Sequence, residues 1–137
     1  MGTTTQDDRV NITLFLSLIH AGFPSPADDY VDKVLDLNEL VIAHPAATFF
    51  VRVSGESMIN AAICENDVLV VDRSIEAFDR AIVVALLDGE FTVKRFRKTR
   101  DAVYLLPENP KYKPIKITES TDFQVWGVVT YIIHKAR

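Results

Sequence analysis

Apolar and β-branched residues come in short runs along this chain, separated at close intervals by turn residues. Residues 48–53, 67–72, 81–87, 90–96, 103–106 and 124–134 each read as a β-strand, by length and by their content of valine, isoleucine, phenylalanine and tyrosine. Asp88-Gly89 joins two of these runs and suits a two-residue turn, so residues 81–96 are predicted to form a hairpin. Asp72-Arg73-Ser74 opens a turn, residues 75–80 form a loop, and Pro107-Glu108-Asn109-Pro110 forms another turn. The long run at 124–134 is expected to offer an edge for pairing between subunits. Helical pattern is scarce. Leu37-Asn38-Glu39-Leu40 starts a turn that stops near His44-Pro45, and residues 58–63 form a second short one. The fold class is therefore mainly β.

Before residue 41 the pattern changes. Residues 1–9 are polar and expected to be disordered. The apolar run within 10–20 fits a short helix and an extended segment equally well. Ala21-Gly22-Phe23-Pro24-Ser25-Pro26 breaks regular structure, and its two prolines favour an extended path. The small Ala21 and Gly22 let another backbone approach closely. Residues 27–40 are acidic, with an apolar spacing that supports partial helix. The expected division is an N-terminal arm, residues 1–40, and a β-rich domain, residues 41–137.

Composition narrows the function classes. A chain of 137 residues, 48% hydrophobic and 25% charged, is long enough for one packed domain with an arm to spare. No apolar stretch is continuous enough to span a membrane. A net charge of −4 and a pI near 5.3 argue against binding nucleic acid by bulk charge. One cysteine, Cys64, permits no intrachain disulfide, which suits a reducing cytoplasm. The start lacks the positive region of a secretory signal, so a cytoplasmic protein is expected. The basic run from Lys94 to Arg100 is more readily the solvated end of a hairpin than a nucleic-acid patch. His20, His44 and His134 show no ligand spacing, which disfavours a zinc site and a Ser-His-Asp triad, although distant residues can meet in a fold. His44, before a proline, is expected to make a structural hydrogen bond. Neither metal nor cofactor is expected.

The candidate chemistry lies at Ser54-Gly55-Glu56-Ser57-Met58, where a strand ends in a turn just ahead of a short helical segment. A serine there has its hydroxyl near backbone N–H groups able to stabilise an oxyanion. For an arbitrary serine, capping the turn is the commoner role, so a base is required. Lys94 lies on the returning strand of the hairpin. Alternation groups it with Glu90, Thr92 and Phe96, opposite Phe91, Val93 and Arg95. Turned toward apolar surroundings, Lys94 would lose affinity for its proton and could serve as general base, a known variant of serine activation. Periodicity alone leaves open a solvated position for both Lys94 and Arg95.

The turn and the Glu90-Phe91-Thr92-Val93-Lys94 strand, with Ser57 and Lys94 37 residues apart, resemble the LexA/UmuD self-cleaving serine peptidases. The resemblance runs from about Ala21 to the C-terminus. It takes in Ala21-Gly22-Phe23-Pro24-Ser25-Pro26, His44-Pro45-Ala46-Ala47-Thr48, residues 67–72 and Trp126-Gly127-Val128-Val129. It implies the compact β domain of that family with a flexible N-terminal arm. It also implies Ser57 as nucleophile, Lys94 as base, and the chain's own Ala21-Gly22 bond as substrate. Leu14 and Phe15 fall where the family arm contacts the sliding clamp, with Thr13 in place of the family proline. Where the family has Asp-Gly-Gly this chain has Asn60-Ala61-Ala62, which favours helix, and Asn66 replaces a turn glycine.

What the resemblance further implies is an SOS-response protein. A RecA filament on single-stranded DNA would stimulate loss of the arm, and the trimmed homodimer would join a UmuC-like Y-family translesion polymerase. The alternative is a dimeric binding module, regulating a polymerase or SOS repression, that keeps the fold without cutting. Retention of Ser57, Lys94 and Ala21-Gly22 together favours the peptidase. A LexA-type repressor needs a helix-turn-helix, for which the residues ahead of Ala21 are too few, and a signal peptidase needs a membrane anchor.

Overall fold

The computed structural model describes residues 12–15, 21–22 and 32–136. The chain falls into two units, residues 1–41 and 42–137. In the first, β1 (Ile12–Phe15) pairs antiparallel with β2 (Asp32–Leu35), Ile12 opposite Leu35 and Phe15 opposite Asp32. The ambiguous run in 10–20 thus resolves to a strand over these four residues. Part of the acidic stretch is also a strand, not helix. A single helical turn, α1 (Leu37–Val41), follows, with the Asp36 carboxylate accepting a hydrogen bond from Asn38 N–H at 3.0 Å.

Ala21 and Gly22 lie in an exposed turn, with Gly22 at φ +86°. The extended path predicted for this pair is therefore not the one adopted. A positive φ is open to Gly22 because it has no Cβ. Residues 23–26 and 1–9, also assigned a conformation from sequence, lie outside the described residues.

The second unit is mainly β, as predicted. Its strands are β3 (Thr48–Arg52), β4 (Val68–Asp72), β5 (Ile82–Leu87), β6 (Glu90–Lys98), β7 (Val103–Leu106), β8 (Ile115–Ile117) and β9 (Phe123–Ile133). They form one seven-stranded antiparallel sheet in the order β3-β4-β9-β5-β6-β7-β8. The hairpin β5–β6 turns at Asp88 (φ 47°) and Gly89 (φ 84°), both left-handed, as a two-residue turn requires.

The expectation that the last strand forms an edge is not met. β9 lies inside the sheet, pairing with β5 through Phe123–Val128 and with β4 through Val128–Ile133. The edges are β3 and β8. Each flank of β9 is thus paired along about half its length among the described strands. Two register shifts, opposite Val84/Ala85 and Val70/Val71, bend the strand between its partners. At Gly127 the strand passes so close to β4 that a Cβ would stand 2.6 Å from Val71 Cγ1 and 3.2 Å from the Asp72 carbonyl oxygen.

Neighbouring residues on β5 point to opposite faces, and each face carries a packed cluster. Val84 belongs to one with Val53, Met58, Ile63, Leu69 and Val71. Val83 and Ala85 belong to the other with Ala81, Phe96, Leu105 and Val128. At the end of β4, buried Asp72 accepts from Ser74 Oγ (2.6 Å) and Ser74 N–H (2.8 Å) and pairs with His44 Nδ1 (2.5 Å). The Ser74 hydroxyl first, and His44 with it, hold the Asp72 carboxyl below the ordinary carboxylate range. This is the structural hydrogen bond expected of His44.

The short helical turn expected over 58–63 is a 3-10 turn, Ile59–Ala61, closed by Ala62 at φ 61°. Asn66, at φ 72°, is left-handed as predicted for the residue replacing a turn glycine. Alanine in the left-handed region costs roughly 1–2 kcal/mol, part of which glycine returns through its freer unfolded chain. Ala62→Gly should therefore raise stability by about 0.5–1 kcal/mol. Urea unfolding measures it, and a lower midpoint for the variant would contradict the assignment of strain.

Candidate active site

The loop after β3 is pinched at its base and fastened at its tip. At the base, Val53 N–H donates to the Asp67 carbonyl (2.8 Å) and Asn66 N–H to the Val53 carbonyl (2.9 Å). Beyond that closure the chain makes the Ser54-Gly55 turn, with Gly55 at φ +96°. Met58, only 3% exposed, drives its side chain into the core beside Ile63 and anchors the residue after Ser57. The turn between β7 and β8 holds the tip. Glu108 N–H donates to the Ser57 carbonyl (2.7 Å), Asn60 N–H to the Glu108 carbonyl (2.7 Å), and Asn109 Nδ2 to the Glu56 carbonyl (2.8 Å). Glu108 is tied in turn to Arg95 Nε at 2.9 Å.

Lys94 arrives from β6. Its Nζ lies 3.1 Å from Ser57 Oγ and 2.7 Å from Thr92 Oγ1. Thr92 and Lys94 share a strand face, as alternation predicted, while Arg95 is directed to Glu108 and to the Arg80 carbonyl (2.8 Å). Burial pushes the Lys94 amine below its ordinary value of 10.5, because leaving water penalises the ammonium and not the neutral amine. A neutral Nζ can donate one N–H to Thr92 Oγ1 and accept the Ser57 O–H on its lone pair. In that arrangement a serine oxygen can act as a nucleophile.

A cleft of about 260 Å³ opens beside Ser57, lined by Val51, Val53, Met58, Val84, Phe91 and Val93 along with the serine turn. Arg52 and Thr92 also line it, so its walls mix apolar and polar surface. Phe91, 60% exposed, is held edge-on by Trp126 at 5.1 Å, and Trp126 packs in turn on Phe49 at 5.7 Å and beneath the Arg73 guanidinium at 3.9 Å. Among the described residues, no acceptor takes the backbone N–H of Ser57 or of Met58, whereas Ile59 N–H bonds to the Glu56 carbonyl. The two preceding N–H groups are thus available to an oxyanion formed at Ser57.

The structure brings together Ser57 and Lys94, which are distant in sequence. Ala21 and Gly22 belong to the other unit and form the turn described above. Leu14 and Phe15 form part of β1. The basic run is only partly a solvated end: β6 continues to Lys98, Arg95 is paired with Glu108, and Arg97 Nη1 bonds Asp79 Oδ2 at 2.5 Å. Sequence reasoning missed Glu108 and Asn109. Their backbone and amide bonds span some 50 residues and leave no local pattern. Thr92 was legible only as a face-mate of Lys94. No helix among the described residues is long and apolar enough to cross a membrane.

Comparison with known proteins gives the family. The Peptidase S24-like family matches residues 13–130. Protein ImpA of Salmonella typhimurium is 44% identical over 132 residues, covering 96% of this chain and 89% of that protein. Protein SamA of the same organism, strain LT2, is 47% identical over 124 residues, 90% of this chain and 86% of its own. LexA repressor 1 of Geobacter sulfurreducens is 44% identical over 100 residues, 73% of this chain but 49% of the repressor. With the serine turn, the lysine strand and the β fold all in place, the chain belongs to the Peptidase S24-like family of serine peptidases, the LexA/UmuD family its motifs resemble.

Proposed function

We propose that this protein is a self-cleaving serine peptidase whose substrate is its own Ala21-Gly22 bond. The observation that carries the reading is the 3.1 Å approach of Lys94 Nζ to Ser57 Oγ, with the amine depressed by burial. In the reaction, neutral Lys94 takes the Ser57 proton and Oγ attacks the Ala21 carbonyl carbon. The Ser57 and Met58 N–H groups receive the oxyanion. Collapse breaks the Ala21–Gly22 bond, Lys94 returns its proton to the Gly22 amine, and water then releases Ala21 from Ser57. Tethering the substrate in the same chain raises its effective concentration.

The turn at Ala21-Gly22 bears on control. A serine peptidase cleft takes its substrate as an extended strand, and Gly22 at φ +86° is not extended. The bond must therefore be straightened before attack. A RecA filament on single-stranded DNA is proposed to favour that straightened form. The product, residues 22–137, is proposed to act as a homodimer with a UmuC-like Y-family polymerase in SOS mutagenesis, and the sliding clamp is a further proposed partner of the arm.

Incubation with RecA, ATP and single-stranded DNA should give one new species by intact mass, beginning at Gly22. A cut elsewhere, or none, removes Ala21-Gly22 as the substrate.

The charge of Lys94 gives a second test. Raising the pH toward ~10 should speed cleavage without RecA, as more of the amine becomes neutral. Lys94→Arg should abolish cutting at every pH, because guanidinium stays charged. A Lys94→Arg protein that still cuts itself under alkaline conditions rules out the dyad. Stability should follow the same titration. The unfolded lysine holds its proton up to about 10.5 and the folded one does not, so stability rises with pH across the window between the lowered value and 10.5.

The partnership is testable apart from the chemistry. The 22–137 product should run as a dimer in light scattering and co-purify with a Y-family polymerase expressed beside it. A monomer that leaves the polymerase behind would reduce the reading to a peptidase alone.

A further inference from the structure

At the base of the serine loop, three potential metal ligands converge. One ligand atom each from Cys64, Asp67 and His134 lies within 4.8 Å of the other two. Cys64 and Asp67 are fixed by a tight turn, in which Asp67 N–H donates to the Cys64 carbonyl (3.1 Å) and Cys64 N–H to Asp67 Oδ2 (2.8 Å). Asp67 is 3% exposed, and the Val53 pairing described above pins its backbone. His134 comes from the far end of the chain. The β4–β9 register sets Ile133 opposite Val68, so the residue that follows β9 falls beside the one preceding β4. His134 Nδ1 then meets Asp67 Oδ1 at 2.6 Å. The sheet therefore preorganises the cluster, without the loop ordering that an unformed site would require.

We propose that Cys64, Asp67 and His134 form a binding site for a borderline divalent cation of the zinc class. One sulfur, one nitrogen and one carboxylate oxygen are the donor types such an ion takes, and hard ions such as magnesium do not. A thiolate and a carboxylate together cancel its double charge. A cleft of about 320 Å³, lined by Asn66, Asp67, His134 and Ala136 with Glu65 and Lys135, opens on the cluster and gives water access to the fourth position. The two rim charges, Glu65 and Lys135, offset each other.

Donors on a tetrahedral ion at bond lengths of ~2.0–2.3 Å stand about 3.3–3.8 Å apart. Asp67 Oδ1 and His134 Nδ1 must therefore part by ~0.7 Å as the ion replaces the proton between them. His134, with its side chain 40% exposed, has room to move. On binding, the Cys64 Sγ–H bond breaks and its proton goes to buffer, while a sulfur lone pair forms the metal bond. The imidazole binds through Nδ1 as its Nε2–H tautomer. The filled site would clip the end of β9 to the base of the loop that carries Ser57.

Cobalt(II) titration of the reduced full-length protein tests this, since thiolate ligation gives a sulfur-to-cobalt charge-transfer band. One equivalent of Co²⁺ should produce the band, and Zn²⁺ should displace it. His134→Gln should weaken binding at least about 10-fold, and Cys64→Ser should abolish the band. His44→Gln should change neither. Zn²⁺ should raise the thermal midpoint of the parent protein and of His44→Gln, but not that of Cys64→Ser. A missing band, or a His134→Gln protein that binds Co²⁺ as tightly as the parent, overturns the proposal. Loss of binding in His44→Gln with His134→Gln unaffected does so too.

Discussion

A lysine can take a proton from serine only while its own nitrogen is uncharged, and water opposes that state. The site is arranged around this constraint. Lys94 projects from the middle of β6, where neighbouring strands remove water from its amine, and its nearest polar neighbours are the hydroxyls of Ser57 and Thr92. Among the described residues no carboxylate bonds to it, and burial sets the direction of its shift. A carboxylate at hydrogen-bond distance would favour the ammonium and cancel the effect of burial.

Keeping the hydroxyl at that amine is a separate task. Ser57 lies on a loop, and loops are ordinarily the mobile part of a fold. Here the loop is closed at its base by the Val53–Asp67 pair and at its tip by Glu108 and Asn109. Arg95, next to Lys94 on β6, reaches Glu108, whose backbone reaches the Ser57 carbonyl. The strand that supplies the amine is thus joined by a short chain of polar contacts to the turn that supplies the hydroxyl. Met58 adds an apolar anchor from below.

How much of this could be read from sequence depends on how local the determining forces are. Strand runs, the Asp88-Gly89 hairpin and left-handed Asn66 follow from side-chain period and backbone preference within a few residues, and they match. Ile12–Phe15 was undecided because its apolar pattern satisfies both periods, and pairing with β2 selects the strand. The place of β9 was misread. An isolated apolar strand looks the same at an edge or between two neighbours, and sheet order is set by pairings between residues far apart in sequence, from Leu87 with Phe123 to Val68 with Ile133. Ala62 was expected to extend a helix but closes a 3-10 turn, since the Glu108 pairing of Asn60 and the burial of Ile63 override propensity. The meeting of His134 with Asp67 likewise depends on strand register and has no spacing signature.

The interior position of β9 has a bearing on the order in which the molecule can be assembled. β3 and β4 make one hairpin, carrying Ser57 on their connecting loop. β5 to β8 make a separate meander that carries Lys94. Among the described strands, neither β3 nor β4 pairs with any strand of that meander, and β9 bridges the two. β9 is also the last of these strands to leave the ribosome. Until residue 133 is available, Ser57 and Lys94 sit on two pieces of sheet with no strand between them. The Ala21-Gly22 bond emerges long before that. A nascent chain therefore carries its candidate cleavage site for most of its synthesis without the completed sheet that holds Ser57 against Lys94.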